Sequence, residues 1–144
     1  DYLDIDKKNK IFFHKKGVVK ILPKSKCKNI NLWKHTGAPY IMPSHPGGDA
    51  FLMTNKGGNN KSFFTLNHGV GRMISKDNAG KRFIKFKLSK NTSKTFQLFR
   101  YGKDKIETQN PRAFKDHNHI LKIIEKNNLA ERIASFESIA SLKA

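Results

Sequence analysis

The chain has 144 residues, enough for one domain with one modest core. Its 29 basic residues against 11 acidic ones give a formal net charge of +18, far beyond what solubility needs, which selects a polyanionic partner, RNA or DNA first. No apolar run approaches the roughly 20 residues that cross a bilayer, and no Lys-rich amphipathic helix with a bulky apolar face is visible, so a membrane is not the expected partner.

No signal-peptide pattern opens the chain, and the lone Cys27 fits a reducing, cytoplasmic setting as a spectator thiol. The first residues read as strand, polar turn, strand: Tyr2 to Ile5, then Ile11 to His14. A chain that starts so abruptly reads as a piece of something longer. His14, at the end of an apolar run, is either a metal ligand aimed from a rigid strand end or a partly buried structural histidine. Val18 to Leu22 is a second β-prone run, stopped by Pro23. Lys24 to Lys28 reads as a solvated basic loop, and Trp33 as a core residue rather than a base-stacking one.

Tyr40 to Met42 reads as a strand running into Pro43-Ser44-His45-Pro46-Gly47-Gly48-Asp49, whose prolines and glycines shape a tight, rigid loop. Such loops at strand ends commonly hold ligands, and Ser44 and His45 suit a phosphate or a base; an ordinary connection is the plainer reading. Ala50 to Met53 resumes a strand, Asn55 to Asn60 is a surface turn, and Ser62 to Leu66 is a strand that delivers His68.

Asn67-His68-Gly69-Val70-Gly71-Arg72 is the segment around which the chain is organised. Alternating glycines let main-chain N–H groups come close to a phosphate, and Arg72 adds a planar charged fork. His68 among such groups suits a general acid, a metal ligand or a nucleophile; the alternative is a Gly-rich turn with a surface histidine. Met73-Ile74 reads as a buried helical turn, and Ser75 as the N-cap of a short helix from Lys76 to about Arg82.

From Phe83 to Thr108 apolar and polar residues alternate, predicting hairpin-like strands, with core packing weighed above base stacking. Asp116 opens a helix with an apolar stripe of Ile120, Ile123 and Ile124, closed by Asn127-Asn128. His117 and His119 fall on different faces of it and are expected to be solvated. The tail from Ile133 onward reads as surface. The fold class is therefore α+β: mixed β-strands with a few helices in a single domain, 1–144.

The segments also carry a resemblance. Phe13-His14-Lys15-Lys16-Gly17 resembles the His-Arg-Lys-Gly segment of RtcB-type RNA ligases, and Pro43-Ser44-His45-Pro46-Gly47 stands where that family has Pro-Gly-Ser-Met-Gly. Asn67 to Arg72, followed by Ser75, resembles its His-Gly-Ala-Gly-Arg motif and following serine. Pro111-Arg112-Ala113-Phe114-Lys115 resembles Pro-Gly-Ala-Tyr-Lys, and Lys143 stands at a penultimate lysine. These segments occur in the family's order over nearly the whole chain, which is similar to the C-terminal, nucleotide-binding portion of the RtcB fold.

The resemblance implies a GTP-dependent RNA ligase. It joins RNA 3′-phosphate (or 2′,3′-cyclic phosphate) ends to 5′-hydroxyl ends through a covalent histidine–GMP intermediate. It implies His68 as the nucleophile and His14 as a ligand of a manganese pair. Pro43, Ser44, His45, Pro46, Gly69, Val70 and Gly71 would cradle GTP or GMP, with Arg72 on phosphate. Phe114 would lie on the guanine face, Lys143 would reach its edge, and Ala50 stands where the family has a guanine-contacting serine. Glu137-Ser138 replaces a common Arg-Pro pair. The family's other metal ligands lie upstream of this region, so the chain is expected to need the N-terminal part of the ligase as a separate chain. The alternative is a catalytically incomplete fragment acting as a basic RNA-binding module.

Overall fold

The computed structural model describes residues 15–83, 97–100 and 106–143. The expected strands before Gly17, His14 among them, and most of the Phe83 to Thr108 region lie outside the described residues.

Three strands form the central sheet. β2 (Tyr40–Pro43) and β3 (Ala50–Asn55) pair antiparallel as a hairpin, and β3 pairs antiparallel with β6 (Ala130–Phe136). Alternation in β3 sends Phe51 and Met53 inward, opposite Met42 and Tyr40 of β2. A register shift between Leu52 and Met53 leaves Ile133 as the extra residue in β6. A shorter pair, β1 (Val18–Lys20) with β4 (Thr65–Asn67), runs antiparallel and supplies Leu66 to the same core, with Ile21 following β1. These elements form the α+β arrangement that the alternating and helical patterns predict.

Helix α2 (His117–Lys126) contributes to this core. Asp116 caps it, its side chain accepting from the Asn118 amide at 2.9 Å. The buried face is Leu121 and Ile124, with Ile120 at its edge, while Ile123 is 45% exposed. The stripe is therefore rotated from the expected one, because Leu121 lies three residues before Ile124 on the same face. His117 is half-buried with its ring centroid 5.4 Å from that of Phe51, not solvated as expected; His119 is exposed. Helix α1 (Lys76–Arg82) starts as predicted, with Ser75 Oγ accepting from the Asn78 amide at 3.3 Å.

Four local expectations need correction. Ser62 to Phe64 is not strand: Phe63 and Phe64 have φ of 54° and 55°, a left-handed backbone that no ladder accommodates. The turn is fixed by hydroxyls, Ser62 Oγ donating to Thr65 O at 2.8 Å and Thr65 Oγ1 to Ser62 O at 2.6 Å. Asn59 is not on the surface. It is wholly buried, accepts from Asn55 Nδ2 at 2.6 Å and donates to the Ile21 carbonyl at 3.3 Å. Met73-Ile74 is no helical turn; both amides donate to the Ala113 carbonyl, at 2.9 and 3.4 Å, and Met73 is 65% exposed. Finally, the tail is not loose surface. β7 (Ala140–Lys143) pairs parallel with β5 (Gln97–Arg100), placing Lys143 opposite Arg100.

Phe51 joins the sheet, α2 and the ring of His117. Phe51→Ala is expected to lower stability by about 3–5 kcal/mol, read by urea unfolding, because the cavity it leaves is walled by strands that cannot collapse.

Candidate active site

β2 ends at Pro43, and the loop to β3 is closed by its own bonds. The Ser44 amide and hydroxyl both donate to the Asp49 carbonyl, at 3.1 and 2.6 Å, and the Gly48 amide donates to His45 O at 2.8 Å. Gly47 sits at φ 78°, which favours glycine, and a Cβ on Gly48 would stand 2.5 Å from Ser44 Oγ and push the Ser44 or His45 side chain aside. His45 Nδ1 lies 3.0 Å from the Pro46 carbonyl, which can only accept, so Nδ1 is the donor of that contact.

The second wall is the glycine segment after β4. The His68 amide donates to Gly17 O at 3.2 Å and the Val70 amide to Pro43 O at 3.3 Å. Asn67 Nδ2 donates to Gly69 O at 2.7 Å. A Cβ on Gly69 would come within 3.1 Å of the Pro43 carbonyl, so the segment lies close against the end of β2. Bonds at alternate residues, 68 and 70, pin the segment. The Gly69 and Gly71 amides donate no hydrogen bond to the described residues, and both glycines line the space beyond. The His68 side chain is exposed, and no described residue hydrogen-bonds its ring.

The third wall is Phe114, carried by a 3-10 turn (Pro111–Ala113) whose cap, Asn110, accepts from the Arg112 amide at 2.9 Å. Arg72 and Phe114 form an isolated antiparallel bridge, and Lys115 N donates to Gly71 O at 3.1 Å. The Arg72 guanidinium lies 4.5 Å over the Phe114 ring, and the His45 ring is tilted 43° to it at 6.0 Å. Arg72 Nε donates to Ile74 O at 3.1 Å and Nη2 donates to Thr108 O. Burial lowers the Arg72 pKa from its usual value. Arg72 is thus partly committed to holding Phe114 and the 106–109 turn in place, which the sequence did not reveal.

These walls enclose an open cleft of about 450 Å³. The structure brings Pro43, Ser44, His45, Pro46 and Ala50 to one side of it. His68, Gly69, Val70, Gly71, Arg72 and Phe114 line the other. Of the expected site residues, only two are not placed in it. His14 is outside the described residues, and for Lys143 the backbone alone is described, two residues along β7 from Ser141, which lines the cleft. The sequence reading missed Gly48, Asp49, Phe136, Glu137, Ser138 and Ser141 as lining residues. Gly48 and Asp49 belong to the loop itself, whereas Phe136, Glu137 and Ser138 arrive because Ala50 pairs with Phe136, a partnership between distant segments that no local pattern signals, and Ser141 arrives on β7.

Behind His68 lies a second space of about 340 Å³, lined by Gly17, Lys115, Leu129 and the Ile120, Ile123 and Ile124 face of α2. His68 lines both spaces, and its ring lies beside Gly17. Among the described residues, no three His, Cys, Asp or Glu side chains gather where they could hold a metal ion. Cys27 is wholly buried and His35 is exposed on a loop.

The model of the family described as tRNA-splicing ligase RtcB matches residues 1–144. The chain belongs to the RtcB family. Its relatives include the tRNA-splicing ligase RtcB of Pyrococcus horikoshii, 20% identical over 139 residues, which covers 95% of this chain and 16% of the relative. The Aeropyrum pernix tRNA-splicing ligase RtcB is 22% identical over 139 residues, 95% of this chain and 29% of the relative. The RNA-splicing ligase RtcB of Mycobacterium tuberculosis is 25% identical over 134 residues, 90% of this chain and 30% of the relative. The chain thus spans less than a third of the length of the RtcB relatives it matches. Among the described residues, no helix is long and apolar enough to cross a membrane.

Arg72→Leu removes charge-assisted bonds to two carbonyls. It is expected to cost about 1.5–3 kcal/mol in urea unfolding and to speed hydrogen exchange at the Met73 and Lys115 amides. Unchanged stability and exchange would leave Arg72 without the structural role its bonds give it.

Proposed function

We propose that this chain carries the guanylylated histidine of a GTP-dependent RNA ligase, with His68 as nucleophile. The observation that carries the reading is the convergence of eleven expected site residues on one cleft with His68 in its wall. The space suits a nucleotide: its volume falls within the range of small-ligand pockets, and it has an aromatic platform at Phe114 and a glycine wall at residues 69 and 71.

The roles follow from position. The bonds at His68 and Val70 hold the segment so that the amides of Gly69 and Gly71 are left to meet phosphoryl oxygens. Phe114, braced by Arg72, takes the purine face, and the resemblance assigns the guanine edge to Lys143, the last residue of β7. A lone pair on the neutral His68 ring attacks the α-phosphorus of GTP. The P–N bond forms as the bond to the bridging oxygen breaks, and pyrophosphate leaves. The guanylate then passes from His68 to an RNA 3′-phosphate, and the 5′-hydroxyl of a second end displaces GMP to seal the strand. Ala50 offers no hydroxyl to the base, which costs binding about 0.5–1.5 kcal/mol relative to a serine there.

Manganese, which the resemblance associates with His14, would polarise phosphoryl oxygens when bound. Among the described residues no three His, Cys, Asp or Glu side chains gather to hold it; the resemblance puts its remaining ligands upstream, in the portion of the relatives that this chain does not span.

The test is incubation with α-labelled GTP and manganese, with and without that remaining portion supplied as a second chain. The reading expects label on the wild type and none on His68→Ala. No label under any reconstitution, alongside RNA binding that survives His68→Ala, would instead make the chain a non-catalytic RNA-binding module.

A further inference from the structure

β3 has a cleft at each end. Ala50, at its start, lines the cleft beside His68, while Asn55, at its finish, lines a separate cleft of about 560 Å³. Lys24, Lys28, Lys34 and Lys56 line this second cleft with Ser25 and Gly57, and no acidic side chain is among its lining.

Both walls are fixed in place. The segment from Leu22 to Ala38 is closed by an isolated bridge, with the Ala38 amide donating to Leu22 O at 2.9 Å. Successive turns hold it from inside: Cys27 N to Lys24 O at 3.0 Å, Ile30 N to Cys27 O at 2.9 Å, and Gly37 N to Trp33 O at 2.8 Å. Cys27 is wholly buried and anchors the lysines on either side of it. Gly37, at φ 81°, allows the closure, because a Cβ there would lie 2.6 Å from the Leu22 carbonyl. The opposite wall is held by Asn55, which donates to Ile21 O at 3.0 Å and accepts from the Gly57 amide at 2.6 Å.

Three of the four lysines have no ion pair among the described residues. Lys56 pairs with Glu131 at 3.7 Å, but both side chains are about half exposed, so a phosphate can compete for it. Like charges held together on a rigid frame repel one another, and nothing in the core requires them there. A concave site with several ammonium groups suits successive phosphates of a flexible polyanion better than a single small anion.

We propose that this lysine cleft binds the sugar–phosphate backbone of an RNA strand whose end lies at the His68 cleft. The five residue steps of β3 put Ala50 and Asn55 about 17 Å apart along the strand, a span of a few nucleotides. Contact is through phosphates, so it is independent of sequence and sensitive to salt. The choice of RNA over other polyanions rests on the function proposed above.

The test reads binding without GTP, so that its failure is separate from failure of the histidine chemistry. Fluorescence anisotropy of a labelled single-stranded RNA is followed over a salt series. The variants are Lys24→Glu/Lys28→Glu/Lys34→Glu and a charge-matched control, Lys81→Glu/Lys122→Glu/Lys126→Glu. The cleft variant is expected to lose tenfold or more in affinity near physiological salt, with a log–log salt slope shallower by about 2. The control should lose less than a third as much. The corresponding Lys→Gln triple, which adds no new charge, is expected to fall between wild type and the Glu variant and covers the case of a misfolded Glu variant. Equal losses in cleft and control variants would reduce the effect to bulk charge and overturn the proposal. So would unchanged binding, which would leave the cleft to an acidic protein segment.

Discussion

The carbonyl of Pro43 joins the parts of the molecule that matter for chemistry. Pro43 is the last residue of β2, paired with Ala50, and its oxygen accepts the Val70 amide while Gly69 lies against it. A proline can occupy this position because it gives a carbonyl without needing a ladder partner for an amide. Through that one residue the core hairpin, the closed loop from Ser44 to Asp49 and the glycine segment are held in a fixed relation. Without it, the glycine segment would keep its bonds to Gly17 and Lys115 but lose its tie to the end of β2.

Much of the cleft was legible in the sequence because its walls are made of local signals. Proline and glycine spacing gives the shape of the loop at residues 43–49, and a cap residue gives the start of α1 at Ser75. The alternation in β2 and β3 gives their inward faces. What was illegible was partnership. Nothing local says that Ala50 faces Phe136, or that β5 pairs parallel with the tail. Period-2 patterning identifies a strand but not its neighbour. Hence Glu137, Ser138 and Ser141 were absent from the expected lining, and the tail that carries Lys143 looked like loose surface.

The remaining mismatches are polar. Asn59 reads as a turn residue and is instead a buried bracket between Ile21 and Asn55, because its amide replaces backbone bonds that an irregular segment lacks. Arg72 reads as a phosphate ligand, yet part of its guanidinium is used to fix Phe114 and the turn behind it. Side chains with several donors can serve structure and ligand together, and composition cannot divide the two roles. The positive charge is similar. An excess of +18 predicts a polyanion, but only the fold shows that some lysines are gathered on a rigid frame while others are scattered along helices.

The central claim is that the imidazole of His68 takes the guanylate. The direct measurement is mass spectrometry of the protein after reaction with GTP and manganese in the presence of the remaining ligase portion, under neutral to alkaline conditions that preserve a phosphoramidate. The account predicts the added mass of GMP on the peptide containing Asn67 to Arg72, localised to His68. Guanylate found on a lysine, or on a histidine other than His68, would contradict it.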